Sequence, residues 1–302
     1  MAAATAVSLE QIDWENPEQI GLWQDAWQRF RRNPIAVAGL IFVCLLLLDA
    51  LVAPLLVSLH LIADPLKQNA ANSYAGFSLQ HPFGTDYLGR DLLSRVMFGA
   101  RISLTIGLTV QVIYLLIGGT IGLTAGYSGG RVDNLLMRFV DIWYAFPDLL
   151  FLLVVVSIFQ PSLFVIFGAI GIIGWVDLAR LIRGQVLSLK EKEFVEGARA
   201  AGSGPTKIIL RHLLPNTLGP IIVSLTFGIP RAIFLEATLS YLGVGIPPPT
   251  PSWGIMIQDG NQAIFAYPHQ VLVPALALAI TMLSFSFIGD GLRDAIDPRM
   301  RR

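Results

Sequence analysis

The pattern of apolar and polar positions divides the chain into six long apolar segments separated by polar stretches. The stretch from Ile102 to Tyr127 has no charged residue, and roughly 20 apolar residues form a helix long enough to cross a bilayer. The alternating pattern of a membrane β-barrel is absent, whereas a helix satisfies its own backbone in lipid. We therefore predict an all-α membrane protein with six transmembrane helices, at about residues 35–59, 102–125, 136–159, 163–181, 216–239 and 271–288.

Composition supports this prediction. Of the 302 residues, 54% are hydrophobic and 14% are charged, against about 25% charged residues in a typical soluble domain. The mean hydropathy is +0.63. The net charge is zero, so nothing suggests a nucleic-acid partner or an acidic substrate. The single cysteine, Cys44, cannot form an intrachain disulfide.

The N-terminal region lacks the basic start of a cleavable signal peptide, because its first charges are acidic: Glu10, Asp13, Glu15 and Glu18. The first apolar segment should therefore remain as an anchor. If each apolar segment crosses the membrane once, most of the 21 lysines and arginines lie on the same side of the membrane as the N-terminus. We expect a multi-pass protein of the inner or plasma membrane. By the positive-inside rule, both of its termini should lie in the cytoplasm. The arginines from Arg90 to Arg101 would then lie outside, which argues against this orientation. They belong to a long loop, however, and the rule is weak for long loops.

Two polar regions have recognisable local patterns. Trp23, Trp27 and Phe30 recur at helical spacing, which predicts a helix lying flat at the cytoplasmic interface. The segment from 241 to 270 contains three consecutive prolines, 247–249, which cannot continue a helix. We expect it to fold back over the outer mouth. The predicted organisation is a cytoplasmic tail with the interfacial helix at 1–34, the first transmembrane helix at 35–59, an extracytoplasmic loop at 60–100, a core of five transmembrane helices at 101–290, and a cytoplasmic tail at 291–302.

The cytoplasmic loop at residues 183–215 is the segment most informative about function. It is much longer than ordinary links between helices. Its alanines favour a short helix, Gly202 and Gly204 favour a sharp stop, and a second helix should then run into the fifth span. A helix of small residues can dock into a groove of another protein. From these residues alone, a solvated helical hairpin without a partner remains an alternative.

A family resemblance favours docking. The pattern Glu196-x-Ala198-x-x-x-Gly202, then nine residues and His212-x-Leu214-Pro215, resembles the EAA loop of permease subunits of ATP-binding-cassette (ABC) importers. Two positions depart from it. Gly197 replaces a second alanine, and His212 replaces the isoleucine of the broad family, although peptide importers commonly have Arg-His there.

Further motifs resemble the peptide and nickel permease branch and together cover about residues 23–300. They are the stretches at 81–86, 89–95, 125–133, 249–254 and 289–298. Within the branch, residues 22–26 and 175–180 are most similar to the second permease subunit of oligopeptide importers.

The resemblance implies the type I ABC importer permease fold and a heterodimeric pore for peptides. The partners would be a homologous permease, two ABC ATPases and an extracytoplasmic binding protein or lipoprotein. ATP and magnesium would bind to the ATPases, and the chain indeed has no phosphate-loop motif and no metal-ligand cluster in its sequence. The residues expected to couple to the ATPases are Glu196, Ala198, Arg199, Ala201, Gly202, Lys207, His212 and Pro215.

Charged residues within the spans are candidates for the translocation path, because such groups usually face a cavity or a partner. The candidates are Arg231, Glu236 and Asp148, with Asp49 a weaker one. Structural ion pairs are the alternative. Asp177 and Arg180 are predicted to be structural instead, because they lie three residues apart on one helix face near the cytoplasmic end.

Other functions are disfavoured. A self-sufficient ion-coupled transporter or channel would not need the long loop, and no internal repeat supports one. A membrane-embedded enzyme would need a catalytic constellation that the sequence lacks. Among substrates, oligopeptides lead over dipeptides, with nickel chelates and glutathione left open.

Overall fold

The computed structural model describes residues 21–297, so the outer parts of both predicted tails, 1–20 and 298–302, lie outside the described residues. Within that range the chain forms helices joined by turns and loops, with one isolated β-bridge. The α-helices are α1 (Leu22–Arg32), α2 (Pro34–Ser58), α3 (Leu92–Ser128), α4 (Gly130–Tyr144), α5 (Asp148–Phe159), α6 (Leu163–Ile173), α7 (Val176–Leu189), α8 (Glu193–Ala200), α9 (Pro205–Ile208), α10 (Leu214–Tyr241), α11 (Trp253–Asn261) and α12 (His269–Ile296).

Five helical units are long and apolar enough to cross a membrane: Pro34–Ser58, Leu92–Ser128, Leu163–Leu189, Pro205–Tyr241 and His269–Ile296. A sixth crossing forms if α4 and α5 count as one span. This agrees with the all-α prediction. Several leucines on α2, such as Leu51, are exposed on the surface of the protein. Exposed leucines are expected on a helix that has one face in contact with lipid.

The third predicted span is not one continuous helix. Residues 136–159 divide between α4 and α5, whose axes differ by 78°. The break lies at residues 145–147, where Pro147 lacks a backbone N–H and disfavours helical geometry in the preceding residue. The fourth span is also interrupted, near Gly174 and Trp175, between α6 and α7.

Helices α3 and α7 pack closely through a glycine stripe. A Cβ atom added to Gly118 would lie 2.7 Å from the Trp175 carbonyl oxygen, and one added to Gly122 would lie 2.6 Å from that of Ala179. At Gly126, one turn further, it would lie 2.7 Å from the Val186 Cβ. Small residues at this spacing let helix backbones approach each other in a membrane.

The two ends of the bundle are built differently. At one end, the loop after α2 packs on α11 and on the start of α12, where the Gln270 amide donates to the Thr85 carbonyl at 2.6 Å. The segment after α10 folds back there, and α11 packs against α10 and α12. Trp253 at its start is fully buried, and its indole N–H donates to the Val96 carbonyl on α3 at 3.1 Å. At the other end, α1 lies on α12, with the Phe30 ring against Gly291. The predicted N-terminal helix is therefore present, and its position at a membrane interface stays a prediction.

Candidate coupling loop and membrane cavity

The loop after α7 forms a helix, a glycine turn and a second helix. Helix α8 ends in a Schellman arrangement, in which the Ser203 N–H donates to the Ala198 carbonyl at 3.0 Å and the Gly202 N–H to the Arg199 carbonyl at 2.9 Å. Gly202 has φ +77°, a conformation that glycine adopts without steric cost. Helix α9 continues through a π-helical turn, Ile209–Leu213, into α10. The turn precedes Pro215, which cannot donate to the ordinary helical ladder.

One side of this loop packs against the helical bundle, and the other side is exposed. Val195, Ile208 and Leu213 are buried in the main core. Among residues 21–297, a Cβ added at Gly197, Gly202 or Gly204 would meet no atom within 4 Å. The exposed part of the loop thus includes small residues and two apolar side chains, Phe194 and Leu210.

The structure places most of the predicted coupling residues on the exposed surface of the loop. Ala198 and His212 are half-buried, and the exposed residues are Glu196, Arg199, Ala201, Gly202, Lys207 and Pro215. The remaining residues of the face, such as Gly197 and Ala200, are also exposed.

An ion pair holds the helix that leads into the loop. Arg183 on α7 donates from Nε and from one terminal nitrogen to the two carboxylate oxygens of Asp133 on α4, at 2.5 and 2.7 Å. Such a two-pronged pair fixes orientation as well as distance. Sequence analysis did not find this pair, because its members are 50 residues apart.

A second ion cluster lies within the spans. Arg231 on α10 donates to Asp148 on α5 at 2.6 Å and to Asp177 on α7 at 2.8 Å. Both acids lie in the first turn of a helix that begins directly after a break. The partial positive charge of a helix N-terminus favours a carboxylate there. Arg231 therefore ties both broken spans to α10.

Two cavities meet at this cluster. The larger, of about 680 Å³, runs from Gln111 and Tyr114 on α3 along α10 to Arg293 near the end of α12. The smaller, of about 320 Å³, lies beside the α4–α5 break and includes Asp148. Asp177, Arg231 and Gly174 line both, so the ion cluster forms the wall between them.

The other intramembrane charges lie elsewhere. Glu236 is fully buried, accepts a hydrogen bond from Ser240 at 2.7 Å, and lines neither of these cavities. Asp49 is half-buried on α2 and likewise lines neither. Asp177 and Arg180, predicted to be structural, bond to different helices: Asp177 accepts from Arg231, and Arg180 donates to Asp141 at 2.7 Å. Its guanidinium also lies over the Tyr144 ring.

The motif at residues 81–91 has a structural role that sequence analysis did not assign. Buried Asp86 accepts hydrogen bonds from the Leu88 and Arg90 backbone N–H groups at 2.9 Å each and from the Arg90 side chain at 2.6 Å. Asp91 caps α3. Asp259 on α11 lies 3.4 Å from Arg90 and 3.5 Å from Arg95. Burial raises the pKa of the Asp259 carboxyl, and the two arginines oppose that shift.

Comparison with known proteins gives consistent matches. Residues 118–302 match the family described as binding-protein-dependent transport system inner membrane component, and residues 21–82 match the N-terminal transmembrane domain of oligopeptide transport permease C. The chain is 42% identical to an oligopeptide transport system permease protein of Bacillus subtilis over 100% of this chain and 96% of that protein. It is 42% identical to a dipeptide transport system permease protein of the same organism, over 92% and 86% of the two chains.

A glutathione transport system permease protein of Escherichia coli is 40% identical over 94% of this chain and 93% of that protein. Among solved structures, an inward-facing MetNI methionine ABC transporter aligns with a TM-score of 0.52 and 18% identity, over 67% of this chain and 96% of that one. At that identity, the likeness shows a common fold.

Proposed function

The chain belongs to the family of binding-protein-dependent transport system inner membrane components, and we propose that it forms one half of a pore through which an ATP-driven importer takes up peptides. Full-length similarity to oligopeptide and dipeptide permeases is the observation that carries this proposal. Oligopeptides are the first candidate substrate. Glutathione is the second, because a glutathione permease is almost as similar.

The loop at 183–215 would be the docking site for the ATPases, which would bind ATP and magnesium and carry out the hydrolysis. Its exposed small residues support this role, since a Cβ added at Gly197, Gly202 or Gly204 would meet no atom within 4 Å among the described residues. The continuous run from α9 through the π-turn into α10 supports transmission, because movement of the loop would shift Arg231 on the same helix.

Arg231 and Asp148, two of the predicted path residues, would line the translocation path together with Asp177. Their position between two cavities supports this role. Glu236 would brace α10 instead, because it is buried and hydrogen-bonded to Ser240.

Both termini would lie in the cytoplasm of a multi-pass inner-membrane protein. Six crossings, with α4 and α5 as one, would return the chain to its starting side, and the basic residues cluster at that end. The partners would be a homologous permease that completes the pore, two ABC ATPases and an extracytoplasmic binding protein.

Uptake by a reconstituted complex tests the proposal. The chain, its sister permease, the ATPases and the binding protein should concentrate a labelled oligopeptide in proteoliposomes when ATP is supplied on the ATPase side. A complex whose ATPases lack the phosphate-loop lysine should not. Uptake by this chain alone, driven by an ion gradient, would instead identify an ion-coupled transporter.

A further inference from the structure

The charge of the ion cluster between the two cavities is not balanced. Arg231 supplies one positive charge, whereas Asp148 and Asp177 supply two negative ones. The pair of Arg180 with Asp141 is neutral in itself, and Arg293 and Asp297, which also line the larger cavity, balance each other in charge. The cluster therefore has one carboxylate in excess, and a surplus charge within a membrane span is costly unless a counter-charge is supplied.

The surplus is accessible from the cavities. The side chain of Asp177 is 55% exposed and that of Asp148 is 34% exposed. Asp177 lines both cavities, so a group passing from one to the other would meet its carboxylate. An incoming carboxylate would increase the excess of negative charge there, whereas an incoming ammonium would cancel it.

Two further acceptor groups stand in the wall of the larger cavity. Gln111 and Tyr114, one turn apart on α3, are 6% and 5% exposed. Within residues 21–297, the Gln111 Oε1 and the Tyr114 hydroxyl have no hydrogen-bond partner. Both oxygen atoms lie directly against the backbone of a glycine, Gly228 on α10 for Gln111 and Gly174 at the end of α6 for Tyr114. Buried polar groups of this kind are rarely left unpaired.

We propose that this cluster binds the N-terminal ammonium group of a peptide in transit, with Asp177 as its charged partner. An ammonium has three N–H donors and no acceptor. Asp177, Gln111 and Tyr114 line the larger cavity, and a movement that exposes the two buried oxygen atoms would give the ammonium three acceptors. Arg231 holds both carboxylates at the helix breaks. The inference rests on the proposed peptide-import function and adds to it a requirement for a free amino terminus.

The charge of the cavity can be measured without transport. Ser224 lines the larger cavity. In the assembled complex, the variant Ser224→Cys with Cys44→Ser is labelled with a cationic or an anionic methanethiosulfonate reagent. The cationic reagent should react faster. Asp177→Asn should lower the ratio of the two rates about fivefold, because one charge that attracts the cation at a partly screened site is removed. Asp148→Asn, which has the same net charge, should lower it too and serves if Asp177→Asn does not fold.

The second measurement is the ratio of uptake of a short peptide to that of its N-acetylated twin. The same binding protein supplies peptide to the wild-type and to the Asp177→Asn complex. Its own preference for a free or an acetylated amino terminus therefore cancels when the uptake ratio of the variant is divided by that of the wild type. We expect the preference for the free amine to fall about tenfold in Asp177→Asn. Equal ratios in wild type and variant, in labelling or in uptake, would overturn the inference and leave the importer in place. A wild-type complex that hydrolyses ATP but takes up no peptide would overturn the proposed function and this inference with it.

Discussion

Arg183 on α7 and Asp133 on α4 are joined by two parallel hydrogen bonds, of 2.5 and 2.7 Å, close to the point where the chain enters the coupling loop. Because α7 ends only six residues further on, at Leu189, this pair fixes the direction in which the loop leaves the bundle. It is thus placed to keep loop movement and helix movement in step.

Replacement of Asp133 by asparagine should weaken this coupling. If the pair stabilises the conformation in which the loop and the helices move together by about 1.4 kcal/mol, its loss lowers the population of that conformation about tenfold. The amount of peptide taken up per ATP hydrolysed should then fall by about the same factor. Arg183→Lys keeps the charge but loses the fork and should give an intermediate value. Both quantities are measured in the same proteoliposomes. An unchanged ratio in both variants would show that the pair has no role in coupling.

The glycine stripe on α3 should not tolerate a methyl group where α7 is closest. Gly122→Ala brings its Cβ to 2.6 Å from a backbone carbonyl, and overpacking of this kind costs about 1–3 kcal/mol. The purified protein should therefore unfold at a lower temperature. Gly119→Ala is the control, because there the nearest atom lies 3.7 Å away, at the end of the Leu115 side chain. Equal melting temperatures for the two variants would mean that close packing of α3 and α7 is not needed.

Asp86 should be essential for the fold of the loop at residues 60–91. Asp86→Asn removes a buried carboxylate that pairs with Arg90 and lies 3.5 Å from Arg95, and breaking a buried ion pair costs about 3 kcal/mol. We expect faster cleavage of residues 60–91 by a protease added outside. Asp64→Asn is the control, since Asp64 is exposed in the same loop. Equal cleavage rates would contradict the structural role given to this motif.

Gly202 should tolerate asparagine better than aspartate. Its positive φ can be adopted by asparagine at modest cost, and the space around it is open, so both variants should insert and fold. Gly202→Asp adds a negative charge to the docking face and should abolish uptake, whereas Gly202→Asn should retain a substantial part of it. Normal uptake with Gly202→Asp at normal expression would exclude a docking role for this turn.

Much of the fold follows from local sequence. Each predicted span has the apolar length that the membrane demands, and Gly202 and Pro205 mark the turn between α8 and α9 by their own backbone preferences. The break in the third span could also have been found, because Pro147 stands in the middle of the predicted helix and opposes its continuation.

The pairing of the intramembrane charges could not be predicted in the same way. Arg231 bonds to residues 54 and 83 positions away, and only the packing of α5, α7 and α10 brings them together. Sequence spacing showed only that Asp177 and Arg180 share a helix face, and it grouped Glu236 with Arg231 as candidates for the translocation path. Local spacing identifies which residues share a helix face but not which other helix that face meets.

The amount of ATPase that co-purifies with two Gly197 variants tests the docking role of the loop most directly. Gly197 is exposed, and a Cβ added there would meet no atom of residues 21–297 within 4 Å. Gly197→Ala and Gly197→Phe, whose ring can extend into solvent, should therefore both fold and melt like the wild type. The Gly197→Ala variant should retain the ATPases, because alanine keeps the proposed docking face small. The Gly197→Phe variant should lose them, because the ring would prevent the loop from entering a groove on the ATPase. Full retention of the ATPases by a folded Gly197→Phe complex would contradict the proposal that they dock on this loop.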